Sequence, residues 1–174
     1  MSAETLETAR LKLRAPARSD AARLAKLAND ADVARMTTRI PHPYGLDDAE
    51  AFLDRCGGLD QGMFAIEHGD DGLIGMIGFQ QMDAPDALGP EVGYWIGRPY
   101  WGKGLATEAT SAVLQWAGRD WGKRCVVSGH FADNPASGAV LIKTGFLYTG
   151  EIRRLPSVAR GGQTVDSRMM VWLA

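Results

Sequence analysis

The strongest chemical signal in the chain is Gly97-Arg98-Pro99-Tyr100-Trp101-Gly102-Lys103-Gly104-Leu105-Ala106-Thr107-Glu108-Ala109. A helix that starts here leaves its first backbone N–H groups unpaired and pointing outward. The macrodipole adds positive character at that end, which suits a phosphate. Glycines at 102 and 104 remove the Cβ atoms that would hold a pyrophosphate off the backbone, and Thr107 adds a hydroxyl. The plainer reading is a glycine turn that merely begins a helix. Two sharper phosphate motifs fail. A Walker A loop needs Ser or Thr after Gly-Lys, and position 104 is Gly. A dinucleotide fingerprint needs glycine at 107, where Thr stands, and an acidic residue about 20 positions later.

Other residues could do chemistry. Glu91 begins the strand that feeds the glycine turn, and on alternation it shares a face with Gly93 and Trp95. A carboxylate beside an aromatic wall can have a raised pKa and act as a base; a solvated strand-end glutamate is the alternative. Asp133-Asn134-Pro135 has the form of a capped helix start with Pro at the first position. His42 lies in the stiff run Pro41-His42-Pro43-Tyr44, while His68 and His130 sit at strand ends and suit surface or hydrogen-bonded histidines. Cys56 and Cys125 form no CxxC, and no cluster has metal-ligand spacing.

The elements that must position these groups follow from periodicity. Ala9 to Arg14 alternates as a half-buried strand, and Ser19 and Asp20 offer caps to a helix with apolar positions Ala21, Leu24, Leu27 and Ala28. A short helix is expected through Val33 to Met36, then a loop from Thr37 to Leu46, then a helix capped by Asp47 and stopped at Gly57-Gly58. Met63 to His68 and Leu73 to Met82 form a hairpin, and Glu91 to Ile96 is the next strand. The helix opened at Gly104 places Leu105, Ala109, Ala112, Val113, Trp116 and Ala117 on one face. A strand from Arg124 to His130, a helix from Asn134 to Lys143 stopped by Gly145, and strands over Phe146 to Ile152 and Ser167 to Leu173 complete the chain. Hairpins beside one helical crossover imply an α/β domain spanning 1–174, with a mixed, mostly antiparallel central sheet and helices on both faces.

Composition agrees. Hydrophobic residues are 45% and charged residues 23%, a globular balance. A net charge of −2 gives no reason to expect a nucleic-acid partner. No window approaches the roughly 20 apolar residues of a membrane helix. Two isolated thiols and no signal-like N-terminus suggest the cytoplasm.

Trp101-Gly102-Lys103-Gly104-Leu105-Ala106 resembles the acyl-CoA motif Q/R-x-x-G-x-G/A of the GNAT superfamily of N-acetyltransferases. Gly104 and Ala106 fall on its last two fixed positions, and Trp101 stands where Gln or Arg is usual. Thr8 to Arg14, Glu91 to Ile96, Asn134-Pro135-Ala136-Ser137 with Lys143-Thr144-Gly145-Phe146, and Asp166 to Trp172 are similar to successive segments of the branch containing the ribosomal-protein alanine N-acetyltransferases. The resemblance implies a GNAT-like fold with acetyl-CoA as co-substrate, held by Trp101, Gly102, Lys103, Gly104, Leu105, Ala106, Thr107 and Asn134. Asn134 would contact the pantetheine arm. Ser137 would lie near the thioester sulfur as a weak acid, a role that many members give to a tyrosine; none lies between Asn134 and Gly145.

Amide formation from a thioester needs a neutral amine, a base to take its proton and a donor for the oxyanion. The leaving thiol, near the pKa of about 8.5 of cysteine, needs only a modest acid. Glu91 is the candidate base and Ser137 the candidate acid. The acceptor is a primary amine, on a small molecule or a protein N-terminus, and Thr37 to Leu46 and Arg153 to Gln163 would shape its pocket. A non-catalytic acyl-CoA-binding module on the same fold and an enzyme for a longer acyl chain are the alternatives.

Overall fold

The computed structural model describes residues 5–56, 62–82, 84–85 and 87–174. Its strands are β1 (Leu6–Glu7), β2 (Leu11–Arg14), β3 (Met63–His68), β4 (Leu73–Gln80), β5 (Glu91–Ile96), β6 (Cys125–Phe131), β7 (Leu147–Pro156) and β8 (Thr164–Leu173). They form one sheet in the order β1-β2-β3-β4-β5-β6-β8-β7. Every neighbouring pair is antiparallel except β5 and β6, which run parallel. The helices are α1 (Ala21–Ala28), α2 (Ala31–Ala34), α3 (Leu46–Arg55), α4 (Leu105–Arg119) and α5 (Pro135–Lys143). α4 is the crossover that a parallel pair requires.

Two apolar layers sandwich the sheet. On one face α4 lays Leu105, Ala109, Val113 and Trp116 against Phe64, Ile66, Ile77 and Val92, with Leu141 of α5 alongside. On the other, Ala21, Leu24 and Ala28 of α1 and Ala49 and Leu53 of α3 meet Ala65, Leu73 and Met76. β4 lies mid-sheet under both layers, and its residues are buried up to the last, Gln80. That explains its uninterrupted apolar sequence. Among the described residues no helix is long and apolar enough to cross a membrane.

Several local expectations change. The strand expected from Ala9 begins at Leu11 as β2, because the Thr8 N–H reaches the Leu11 carbonyl (2.9 Å) and turns the chain back onto β1. Asp20 precedes α1 but its side chain does not cap it. It accepts instead from the Ala17 N–H (2.8 Å) and from the Arg14 fork (2.7 and 2.8 Å). Burial works against that carboxylate, yet the hydrogen bonds from Arg14 and Ala17 hold it below its ordinary range. Gly45, not Asp47, occupies the cap position of α3, with the Asp48 side chain reaching back to the Gly45 N–H (2.8 Å). The expected stop at Gly57-Gly58 lies outside the described residues. The closing hairpin is longer than its apolar alternation suggests, since β7 and β8 stay paired out to Pro156↔Thr164.

Candidate active site

The sheet splits where β5 meets β6. Their parallel ladder has one registered pair, Glu91↔Val127, with the Val127 N–H on the Pro90 carbonyl (2.9 Å). One residue further on, the Val92 carbonyl accepts from the Ser128 hydroxyl (2.9 Å) instead of a backbone donor. At Gly93 a Cβ would meet nothing within 4 Å. The strands therefore diverge, leaving a cleft beside the second half of β5. Alternation along β5 sends Tyr94 to the α4/α5 face, where it packs on the apolar layer. Glu91, Gly93 and Trp95 look the other way, with Trp95 packed on the α1/α3 layer.

At the end of β5 the chain enters the glycine turn. Gly102 (φ +73) and Gly104 (φ +74) adopt the left-handed conformation that L side chains resist, and Gly104 is the cap residue of α4. A Cβ at 102 would meet nothing, and at 104 only an Arg10 nitrogen at 3.5 Å. The first bond of α4 is the Glu108 N–H to the Gly104 carbonyl (3.1 Å), so the N–H groups of Leu105, Ala106 and Thr107 have no partner within the helix. Open space, unpaired donors and the helix dipole converge here, and they fit a coenzyme diphosphate. Leu105 is buried, so its backbone alone faces the cradle. Lys103 is exposed, its ammonium 5.5 Å from the Tyr100 ring centroid. Trp101 is turned back, with its indole N–H on the Ile96 carbonyl (2.6 Å).

α5 begins on the same face. Asn134 caps it, its Oδ1 accepting from the Ser137 N–H at 3.3 Å. The capping reading and a ligand role coexist, because the cap uses the oxygen and leaves the amide NH2. Ser137 Oγ lies 2.8 Å from the Tyr94 hydroxyl. Burial pushes that hydroxyl up to about 12, with the Ser137 hydrogen bond opposing. At neutral pH it is a phenol, able to give a proton and not to take one. The sequence contains no tyrosine between Asn134 and Gly145; the fold supplies one from β5. No local signal marked Tyr94, whose pairing with Ser137 exists only once α5 sits over the sheet.

The opposite face carries Glu91, half-buried beneath the two loops expected to frame an acceptor. Burial raises the Glu91 carboxyl above its ordinary value, while the Arg153 and Arg39 guanidiniums pull it back. Arg39 is brought there by Gln80 (2.8 Å), the cross-strand neighbour of Glu91. Arg153 bonds Glu151 (2.7 Å) on β7. The β7–β8 tip is tied to the segment after α2: Ser157 Oγ donates to the Thr37 carbonyl (2.9 Å), Val158 N–H to Thr38 (3.1 Å) and Arg160 Nε to Arg35 (2.9 Å). Arg160 also forks onto Asp133 (2.8 and 3.1 Å). Together they make an arch. His42 is exposed on the loop, and His68 sits at the hairpin turn beside Asp71 (3.4 Å). His130 is buried, Nδ1 donating to the Phe131 carbonyl and Nε2 accepting from the Tyr148 hydroxyl, both at 2.9 Å. It is a satisfied histidine. The structure thus gathers the glycine turn, Asn134 and Ser137 on one face and sets Glu91 on the other, at the root of the cleft.

Comparison with known proteins points the same way. The sequence profile of the acetyltransferase (GNAT) domain matches residues 10–147. The ribosomal-protein-serine acetyltransferase of Escherichia coli (strain K12) is 29% identical over 85 residues, spanning 49% of this chain and 47% of that protein. The uncharacterized N-acetyltransferase YoaA of Bacillus subtilis (strain 168) is 30% identical over 160 residues, 86% of each. The crystal structure of ribosomal-protein-S5-alanine acetyltransferase from Vibrio fischeri superposes with a TM-score of 0.82 at 18% identity, covering 98% of this chain and 96% of that one.

Proposed function

Because the chain belongs to the acetyltransferase (GNAT) family, for which acetyl-CoA is the co-substrate, we propose that it acetylates a primary amine by direct attack of the amine on the thioester. The observation that carries this reading is the cleft between β5 and β6, with a phosphate cradle and the Tyr94–Ser137 pair on one face and a half-buried carboxylate on the other. The domain spans 1–174 and works in the cytoplasm.

The bound thioester supplies an electrophilic carbonyl and a fairly acidic leaving thiol. The N–H groups of Gly104 to Thr107 would bind its diphosphate, and the Asn134 amide would contact the pantetheine arm. On the other face Glu91 accepts a proton from the acceptor ammonium, leaving the neutral amine to attack the carbonyl carbon. The N–C bond forms, the C–S bond breaks, and the electron pair leaves on sulfur. Ser137 gives the thiolate a proton and is resupplied by the Tyr94 hydroxyl behind it, while the amide nitrogen loses its second proton to solvent, which in turn reprotonates Tyr94. Arg39 and Arg153 add positive potential over Glu91, which also disfavours the ammonium form of an incoming amine.

The acceptor is an amine on a small molecule or a protein N-terminus. A panel of small amines and N-terminal peptides, with acetyl-CoA and a thiol reagent, tests the reading. Amine-dependent release of CoA thiol is the expected result. Coenzyme binding with no release against any amine favours a non-catalytic acyl-CoA-binding module, and a chain-length series read by mass spectrometry separates acetyl from longer acyl donors.

A further inference from the structure

The turn Thr8–Arg10 between β1 and β2 is fastened to the beginning of α4. Arg10 Nε donates to Glu108 Oε2 (2.7 Å), its backbone N–H to Glu108 Oε1 (2.8 Å) and its Nη1 to the Lys103 carbonyl (2.8 Å). Thr8 Oγ1 adds a fourth bond, to Glu108 Oε1 (2.6 Å). Burial disfavours the Glu108 charge, but Thr8 and Arg10 together hold that carboxyl below its ordinary range, so it stays ionised. Nothing in Arg10's own neighbourhood in the sequence marks it for this.

Two physical consequences meet at the cradle. A trans peptide unit points its C=O and N–H in opposite directions. Pinning the Lys103 carbonyl on Arg10 therefore aims the Gly104 N–H away from Arg10, into the open space at the end of α4. An ionised carboxylate in the first turn suits the helix but repels a diphosphate placed beside it. The Arg10 guanidinium cancels that charge. Trp101, which occupies the place where the motif usually carries Gln or Arg, has its indole turned to the Ile96 carbonyl and can do neither.

We propose that Arg10 is a positioning residue for the coenzyme diphosphate: it presets the Lys103–Gly104 peptide plane and neutralises Glu108, without touching the reacting atoms. This rests on the reading that acetyl-CoA occupies the glycine turn. Arg10→Gln removes both effects. Arg10→Lys restores the charge but not the simultaneous hold on Glu108 and Lys103, and so recovers part of the loss.

The test combines calorimetry of CoA binding with steady-state kinetics on two donors, acetyl-CoA and S-acetylpantetheine, which lacks the diphosphate. The expected result for Arg10→Gln is a rise of about tenfold in Kd for CoA and KM for acetyl-CoA, the worth of one charge-assisted hydrogen bond. kcat and KM for the amine stay near wild type, and kcat/KM with S-acetylpantetheine is unchanged. Arg10→Lys falls between. An equal loss with both donors means that Arg10 only holds the fold together and overturns the proposal. So does a wild-type Kd for CoA in Arg10→Gln, or in Arg10→Lys should the glutamine variant not fold. If the wild-type chain itself binds no CoA, the functional reading falls together with Arg10's role.

Discussion

The two faces that meet at the cleft are built differently. The proposed coenzyme side is mostly backbone: two left-handed glycines, the unpaired N–H groups of one helix and a capped second helix. The proposed acceptor side is mostly side chain: Glu91 from β5, Arg39 from the loop after α2 and Arg153 from β7, beside an arch tied by Ser157, Val158 and Arg160. A backbone site offers the same donors whatever surface residues surround it, which suits a constant co-substrate. A site of side chains from distant segments can be retuned one substitution at a time, which suits a varying acceptor.

The contrast is broken most severely at Gly104. A valine there would have to hold φ near +74, a conformation costing about 1–2 kcal/mol for an L residue before any branching penalty. The relaxed turn would no longer aim its N–H groups. Gly104→Val is expected to lower acetyl-CoA affinity by at least about a hundredfold, or 2.7 kcal/mol, by calorimetry. Binding at wild-type strength would move the phosphate site elsewhere.

On the other face the expected loss is in turnover alone. Glu91→Gln should reduce kcat by about 10²–10⁴, the usual worth of a general base, leave the Kd for acetyl-CoA unchanged and flatten the acidic limb of the pH–rate profile. A loss under about tenfold with the wild-type profile retained would remove Glu91 from the mechanism and leave positioning to supply the rate. Smaller again is Tyr94→Phe, which deletes the 2.8 Å contact to Ser137. One net hydrogen bond of about 1 kcal/mol predicts roughly a fivefold fall in kcat. If the two hydroxyls act as a unit, the double variant with Ser137→Ala is no slower than the worse single one; simple additivity would separate them.

Glu91 should also report its burial through stability. Its folded pKa is raised by burial above the unfolded value, with Arg153 and Arg39 only partly opposing. The protonated form is thus the one folding favours. The resulting stability is present below the unfolded value and is lost as pH rises through the folded one. Thermal melts should show Glu91→Gln above wild type at pH 8, with the gap closing toward pH 4. A gap that widens on acidification would contradict the direction. The smallest expected effect is at Lys103, whose exposed ammonium contributes screened charge. Lys103→Ala should change acetyl-CoA affinity by no more than about twofold in the same calorimetric assay, and a larger loss would make the cradle less purely a backbone site.

Legibility followed the same division. Gly102 and Gly104 could be marked from the sequence because a left-handed turn before an amphipathic helix is a local requirement, and Asn134 because Asn-Pro starts a helix by local rules. Alternation placed Glu91 with Gly93 and Trp95. Periodicity is silent on which elements lie across from one another. The Tyr94–Ser137 pair depends on how α5 sits over β5, and Arg10 on a hairpin turn that the apolar alternation of Ala9 to Arg14 disguised as strand. Asp20 looked like a cap because caps are short-range; a guanidinium from the preceding strand competed for it.

The lone registered pair between β5 and β6 has a kinetic consequence for the proposed transfer. It parts the sheet beside β5, with the α4/α5 layer on one face and Glu91 on the other. On the proposed function the acyl donor would lie along the α4/α5 side and the amine would enter beneath the arch, so neither would obstruct the other's door. Under the proposed direct attack both must be in place before the acyl group moves, with no acyl-enzyme between them. Initial-velocity plots therefore intersect instead of running parallel. Free CoA competes with acetyl-CoA for one door while leaving the amine's open, and the acetylated product can depart before CoA does.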